Sequence, residues 1–352
     1  MSIITLTPPA LSDEHIHEKI SCIRAHRERI FYVSLEKRNG KLICHNYGQG
    51  GAGLTFLFGC VEESIRQFEE YCATKGISKL HEIAVIGAGC YGLLTAITLE
   101  RKGYNVHIVA KQTENLPSHK AAGFFFPRPR RTSLPHEKEI FAAYSLRSFL
   151  TYKQIIEHKH PFIYQGAQFL PGYFDHSMDP GLQPFIEKGL LAAPQPVTVS
   201  FGESKTYNLM QYQTLFIDAT ALMHELQNTV QQLGIPLYKK EITDFDECSA
   251  ATIFNCSGLG TKQLTHDKRI IPVQGHLLML KNQAPKEQRQ YLINVKVTQT
   301  NKDGSQRDEL IYYTPKQEGF LGITFIRNQA EPTANPHEFD RILERSRLFF
   351  SP

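Results

Sequence analysis

The stretch IAVIGAGCYGLLTAITLERKGYNVHIV, residues 83–109, constrains this chain more than any other. It reads as a buried strand from Ile83 to Ile86, a turn with Gly87, Gly89 and Gly92 at GxGxxG spacing, an apolar-faced helix through Leu93, Ala96, Ile97 and Leu99, and a second strand from Val106 to Val109. Each glycine has its own task. Gly87 permits the tight turn, Gly89 lets the backbone approach a pyrophosphate, and Gly92 lets helix and strand pack closely. Ala88, Cys90 and Tyr91 fill the turn between them, and Gly103 ends the helix. A glycine turn alone is common; with strand, helix and second strand around it, the run is a dinucleotide-binding βαβ unit. Such units usually open a chain, and here 82 residues precede it.

Size and charge narrow the rest. A chain of 352 residues can bury a substantial core in two domains or one large α/β domain. A net charge of +4, without a basic run interleaved with aromatics, argues against a nucleic-acid partner. Seven cysteines without CxxC fit a reducing compartment better than a disulfide framework. The N-terminus has no basic, apolar leader, and no run approaches the roughly 20 apolar residues that span a bilayer. A soluble, cytoplasmic protein without a membrane partner is expected. The 15 histidines show no HExxH or paired spacing, so no metal site is expected.

The leader reads as an extended arm and a short polar helix capped by Ser12 or Asp13, then a hairpin of Arg29 to Leu35 and Leu42 to Asn46 about Asn39-Gly40. Gly48, Gly50, Gly51 and Gly53 then open a helix whose apolar positions are Leu54, Leu57, Phe58, Val61, Ile65 and Phe68, closed by Gly76. A glycine loop feeding a helix start is a second place where backbone N–H groups meet a positive dipole end. Beyond the βαβ unit, residues 138–160 read as a helix and 161–210 as strands and loops. TLFID is a strand, and Asp218 or Thr220 caps a helix running to Gly234. Ile235 to Leu237 and Ile242 read as short strands, and ATIFN as another. From Leu277 the chain reads as an antiparallel sheet, LLML, YLINVKV, ELIYYTP and FLGITFI, with a hairpin tip at Asp303-Gly304, and then a helix from Phe339 to Phe349. PRPRR, residues 127–131, is a small basic cluster that reads as a solvated loop.

HNYGQGGAGLT, residues 45–55, closely resembles the motif near the C-terminus of the D-amino acid oxidase family of FAD-dependent oxidoreductases. CIRAHRE before it resembles that family's arginine segment. SHKAAGFFFP (118–127), NCSGLG (255–260), IIPVQGHLLML (270–280) and IYYTP (311–315) resemble further family segments, in family order. Only the order of the whole is rotated, because segments last in the family come first here. The reading is a circular permutation: an α/β chain with a Rossmann-type FAD-binding domain (36–160 and 213–275) and a mainly antiparallel substrate domain (1–35, 161–212 and 276–352). Permutation is tolerated where old termini are close and new ones fall in exposed loops.

The resemblance implies FAD, oxidation of an amino acid or amine by hydride transfer from the carbon bearing nitrogen, an imine product, oxygen as acceptor, and a homodimer as a candidate assembly. It implies that Arg24 grips a substrate carboxylate, that Tyr312 hydrogen-bonds it, and that the Gly51 carbonyl meets the amine. A planar guanidinium suits a carboxylate through two parallel bonds. Tyr313, on the opposite face of its strand, stays a rival to Tyr312. Gly51, Ala52, Gly53, Leu54 and Thr55 would meet the flavin edge. Ser118 and Ala121, Ala122, Gly123 and Phe124 would lie along the ribityl chain and ring. Ile242 would meet adenine, and Ser257 and Gly258 would return to the cofactor. Two departures stand out. The acid expected after the second strand to hold the adenosine ribose is replaced by Lys111 or Gln112, and lysine has no acceptor: either Glu114 reaches back, or the ribose is held more weakly, or the site takes a 2′-phosphate as in NADP. A tyrosine expected four residues before Tyr312 is Asp308, which would repel a carboxylate if it faced the pocket and mean nothing if it faced solvent. An N-methyl or imino acid oxidase of glycine or sarcosine type, and a flavin-binding protein without turnover, stay open as alternatives.

Overall fold

The computed structural model describes all residues except 1–2, 79–80, 128–133, 203–204, 301–305, 332, 334 and 352. Most of the PRPRR cluster and the Asp303-Gly304 tip therefore lie outside the described residues. Two sheets organise the chain. One runs Leu237–Lys239, Asn105–Ala110, Glu82–Ile86, Thr252–Asn255, Lys41–Tyr47 and Tyr32–Arg38; the first five strands are parallel and the last is antiparallel. The other is mixed and mainly antiparallel. It runs Ile3–Thr5, Gln195–Ser200, Thr206–Ile217, Ala167–Phe174, Leu292–Thr300, Gln306–Thr314, Phe320–Gly322 and Ile270–Leu280, with Ile16–Arg27 also paired to the last.

The glycine-turn unit sits inside the parallel sheet. Lys41–Tyr47 pairs with Thr252–Asn255, which pairs in turn with Glu82–Ile86. From Lys41–Tyr47 the chain enters the helix Gly53–Lys75, which ends at Gly76 in the left-handed conformation (φ 63°) and leads to Glu82–Ile86. The strands before Glu82 are thus shared between the two sheets. Tyr32–Arg38 already belongs to the parallel sheet, so the chain changes sheets before residue 35. The apolar stripe of the long helix is buried as its spacing predicts, Leu57 and Phe68 completely, each worth about 1.5–3 kcal/mol. The same helix crosses Pro135–Ile156 so closely that a Cβ on Gly59 would lie 2.2 Å from the Tyr144 carbonyl oxygen.

Local signals held where capping and periodicity were strong. Asp218 Oδ1 accepts from the Thr220 and Ala221 N–H groups at 3.0 and 3.1 Å and starts the helix Ala219–Gln232. The C-terminal helix spans Pro336–Phe350. Two readings are corrected. The polar helix expected after the N-terminal arm is one turn, Asp13–His15, followed by the strand Ile16–Arg27, because that segment pairs along nearly the whole of Ile270–Leu280. Ile242 lies outside any strand; the short strand is Leu237–Lys239. No helix among the described residues is long and apolar enough to cross a membrane.

Candidate active site

The dinucleotide turn is built as tightly as its glycines require. Gly87 has φ 112°, and a Cβ there would lie 2.4 Å from the Cys256 carbonyl oxygen; at Gly92 it would lie 1.8 Å from the Gly87 carbonyl oxygen. Gly89 differs. Among the described residues beyond its chain neighbours, only Ser118 Oγ lies within 4 Å of its missing Cβ, so its outer side is open, as a phosphate cradle requires. Ser118 closes the turn by accepting from Cys90 N–H at 3.2 Å and donating to Cys90 Sγ at 3.4 Å. Ala88, Cys90 and Tyr91 are buried. The Tyr91 hydroxyl donates to the Gly53 carbonyl at 2.8 Å and ties this turn to the second glycine loop. Thr55 Oγ1 accepts from Phe126 N–H at 3.1 Å, and Leu54 is held through its carbonyl by Tyr152. Ser257 bonds Asn255 Oδ1 through both N–H (3.3 Å) and Oγ (2.6 Å), and Asn255 Nδ2 donates to His45 Nδ1 at 3.2 Å. That fixes the His45 tautomer: Nε2–H donates to Glu36 at 2.9 Å, and burial holds its pKa below the usual histidine value. Gly258 follows at φ 59°.

Arg24 lies where the two sheets meet. It is 8% exposed and registers with Val273. Its Nη2 donates to the carbonyls of Gln274 (3.2 Å) and Thr324, and its Nε to that of Val273 at 3.4 Å. Nη1 is buried without a hydrogen-bond partner among the described residues. A Cβ on Gly51 would stand 3.2 Å from that nitrogen, and one on Gly275 only 2.4 Å from Nη2, so two glycines make room for the guanidinium. The Phe325 ring lies 4.5 Å from the guanidinium carbon while remaining 62% exposed. Two parallel bonds to a carboxylate would require Nη2 to leave its carbonyls; the free donor is Nη1. Burial lowers the Arg24 pKa, yet an arginine stays charged.

Tyr312 and Tyr313 separate clearly. Tyr313 is fully buried on the far face against Tyr291, 5.1 Å between ring centroids. Tyr312 faces Phe124, 5.9 Å away, and packs with Ala122 and Ile323. Burial pushes its phenol well above the usual tyrosine value, so it is a neutral donor. Gly123 has φ 90° and its missing Cβ would meet the Ile217 carbonyl oxygen at 2.0 Å, which presses Ala121 to Phe124 against the strand Thr206–Ile217. Lys316, which sequence reasoning missed, holds the same segment: its Nζ donates to the carbonyls of His119 (2.5 Å) and Ala121 (2.9 Å), and burial brings its pKa down to about 8. Phe325 was missed as well. Neither carries a motif; both are placed by the turns around Phe320–Gly322.

The departures are located too. Asp308 is exposed and accepts from Thr298 Oγ1 at 3.1 Å, about 13 Å along its strand from Tyr312, so it faces solvent. Lys111 is exposed and pairs with Glu241 at 2.8 Å. Ile242 is half-buried against the cluster of Ile43, Ile86 and Phe245. The residues fit FAD: a glycine cradle open at Gly89, a second glycine loop locked to it by Tyr91, and a buried unpartnered donor where the two sheets meet.

A family model described as FAD dependent oxidoreductase matches residues 82–352. The chain belongs to that family. FAD is the cofactor of this FAD-dependent oxidoreductase, and its fold is that of the family. Among curated relatives, the D-amino-acid oxidase of Streptomyces coelicolor is 26% identical over 203 residues, 57% of this chain and 59% of that protein. Human D-aspartate oxidase is 29% identical over 218 residues, 58% and 60% of the two. The matches thus span about three fifths of those relatives. Among solved structures, glycine oxidase from Bacillus cereus aligns with a TM-score of 0.55 at 17% identity, covering 76% of this chain and 79% of that one. Iminodiacetate oxidase from Chelativorans gives 0.51 at 13% identity, covering 75% and 78%. At such identities these two speak to the fold.

Proposed function

We propose that this FAD-dependent oxidoreductase oxidises an amino acid or related amine at the carbon bearing nitrogen, with Arg24 as carboxylate anchor. The observation that carries this reading is the buried, unpartnered Nη1 of Arg24 beside Gly51. FAD, when bound, would supply the hydride acceptor, with oxygen as the final acceptor of the electrons. The chain's residues bind and orient. Arg24 Nη1 donates to one carboxylate oxygen, and the neutral Tyr312 hydroxyl donates to the same carboxylate. The Gly51 carbonyl accepts from the substrate amine. The backbone of Gly53, Leu54 and Thr55, at a helix start, donates to the flavin edge, where a positive dipole end favours developing negative charge. Ser118, Ala121, Ala122, Gly123 and Phe124 line the cofactor, with Lys316 holding their segment in place.

We also propose that the chain is a circular permutant of its family. Two facts support this: the family match begins at residue 82, and the strand and helix before it complete the same sheet. A sequential alignment to an unpermuted relative would stop where the order rotates, as the family match does at residue 82. Seven free cysteines, six of them buried, support a reducing compartment such as the cytoplasm.

The test is the visible spectrum of the purified protein, followed by anaerobic addition of D-amino acids, N-methylated amino acids and simple amines in separate pools. Bleaching of an oxidised flavin spectrum by the D-amino acid pool is expected. Bleaching only by the N-methylated pool would move the substrate class to imino acids. A flavin that no pool bleaches would overturn the oxidase reading and leave a binding role.

A further inference from the structure

A ribose needs a hydrogen-bond acceptor where a dinucleotide passes the end of the second strand, and the residue there, Lys111, is a donor only. The structure places a carboxylate beside it from a different element. Leu237–Lys239 runs parallel to Asn105–Ala110 with Lys239 opposite Ala110, and Lys240 N–H donates to the Ala110 carbonyl at 3.1 Å. Lys111 and Glu241 therefore leave their paired strands at the same level, at the carboxyl ends where open α/β sheets take their ligands. There Lys111 Nζ meets Glu241 Oε1 at 2.8 Å.

As a stability device this pair has little value, since both side chains are more than half exposed (63% and 51%) and such pairs contribute little. As a ligand device it is well made. The backbone carrying Glu241 is fixed on its far side: Glu247 Oε1 accepts from Thr243 N–H at 2.9 Å, Thr243 Oγ1 at 2.7 Å and Asp244 N–H at 3.1 Å, and Glu247 also pairs with Lys240 at 3.3 Å. An ionised carboxylate has more acceptor sites than one ammonium can fill, so Glu241 keeps capacity for a hydroxyl while Lys111 steers it.

We infer that Glu241, oriented by Lys111, accepts the hydrogen bond of the adenosine 2′-hydroxyl of FAD, in place of the acid that Lys111 displaced. The inference rests on the FAD reading and concerns cofactor affinity, so its test is separate from turnover. Glu114 is the competing acceptor; it is exposed, and its charge bears on His119.

The experiment titrates apoprotein with FAD and with FAD lacking the adenosine 2′-hydroxyl, following flavin fluorescence, for the wild type, Glu241→Gln and Glu114→Gln. The wild type should bind the deoxy analogue about tenfold more weakly than FAD, the value of one hydrogen bond to a charged group. Glu241→Gln, whose amide oxygen is only a neutral acceptor, should bind FAD severalfold more weakly and discriminate less between the two ligands than the wild type. Glu114→Gln should match the wild type. Undiminished discrimination in Glu241→Gln, or its loss in Glu114→Gln, would overturn the assignment. A wild-type protein that binds neither ligand would instead bring down the FAD reading on which it stands.

Discussion

Arg24 is held by three carbonyl oxygens and left with one buried donor, an arrangement suited to a ligand carboxylate. Arg24→Ala should lower kcat/KM for a carboxylate substrate roughly 10- to 100-fold, chiefly through KM, the loss of one charge-assisted hydrogen bond. Arg24→Lys should restore little, because an ammonium cannot fill the carbonyl cage and also reach past Gly51. Steady-state kinetics of the two variants check this; wild-type KM in Arg24→Ala would remove the anchor. Phe325, resting on the guanidinium, gives a second expectation: Phe325→Ala should change the ratio of kcat/KM between bulky and small substrates more than it changes thermal stability. The identity of Arg24 could be read from its motif. Its single free donor could not, because that depends on Val273, Gln274 and Thr324, some 250–300 residues away in sequence and brought in by strand register. His160 offers a prediction with a definite sign. Burial and the Arg101 charge lower its pKa to about 4, and its Nδ1 accepts from Ile163 N–H at 3.0 Å. A neutral buried histidine contributes its stability in full above about pH 6.5 and loses it as pH falls toward 4, about 2–3 kcal/mol in all. His160→Asn keeps an acceptor without the titration, so urea unfolding at pH 7 and pH 4 should show a smaller acid loss than in the wild type.

At the scale of elements, the helix Gly53–Lys75 answers to two demands. Its N-terminus is tied to the dinucleotide turn by Tyr91, and its middle is pressed onto Pro135–Ile156 at Gly59. Gly59→Ala should cost about 1–3 kcal/mol in a denaturant titration, because the methyl would meet backbone, which cannot rotate away. An unchanged midpoint would mean the helices can separate freely. The apolar stripe of this helix was plain in the sequence because period and caps agree. The strand Ile16–Arg27 was not: IHEKISCIRAHR has no clean alternation, and its polar residues suggested a helix. What makes it a strand is a long partner, Ile270–Leu280, and local propensity yields to that pairing. Which of Tyr312 and Tyr313 faces the C-terminal helix was likewise not legible, because alternation gives two faces without saying which is covered; Phe350 packs against Tyr313.

Across the whole molecule, the segment Leu11 to Asp13 packs on the C-terminal helix. Arg347 donates to the Leu11 carbonyl and pairs with Asp13, both at 2.7 Å, and Leu11 shares a core with Phe349 and Phe350. A chain joined end to end and reopened between Gly76 and Glu82 should therefore fold and bind FAD with about the wild-type affinity, measured by flavin fluorescence. Failure to fold would show that the present order of segments is required. One consequence of that order concerns synthesis. The strand bearing Arg24 leaves the ribosome well before its partner, since Val273 follows Arg24 by 249 residues. At the usual 5–20 residues per second the wait is about 12–50 s. For that interval the polar, irregular strand has no mate, and its several charges and histidines guard the nascent chain against pairing with a stranger.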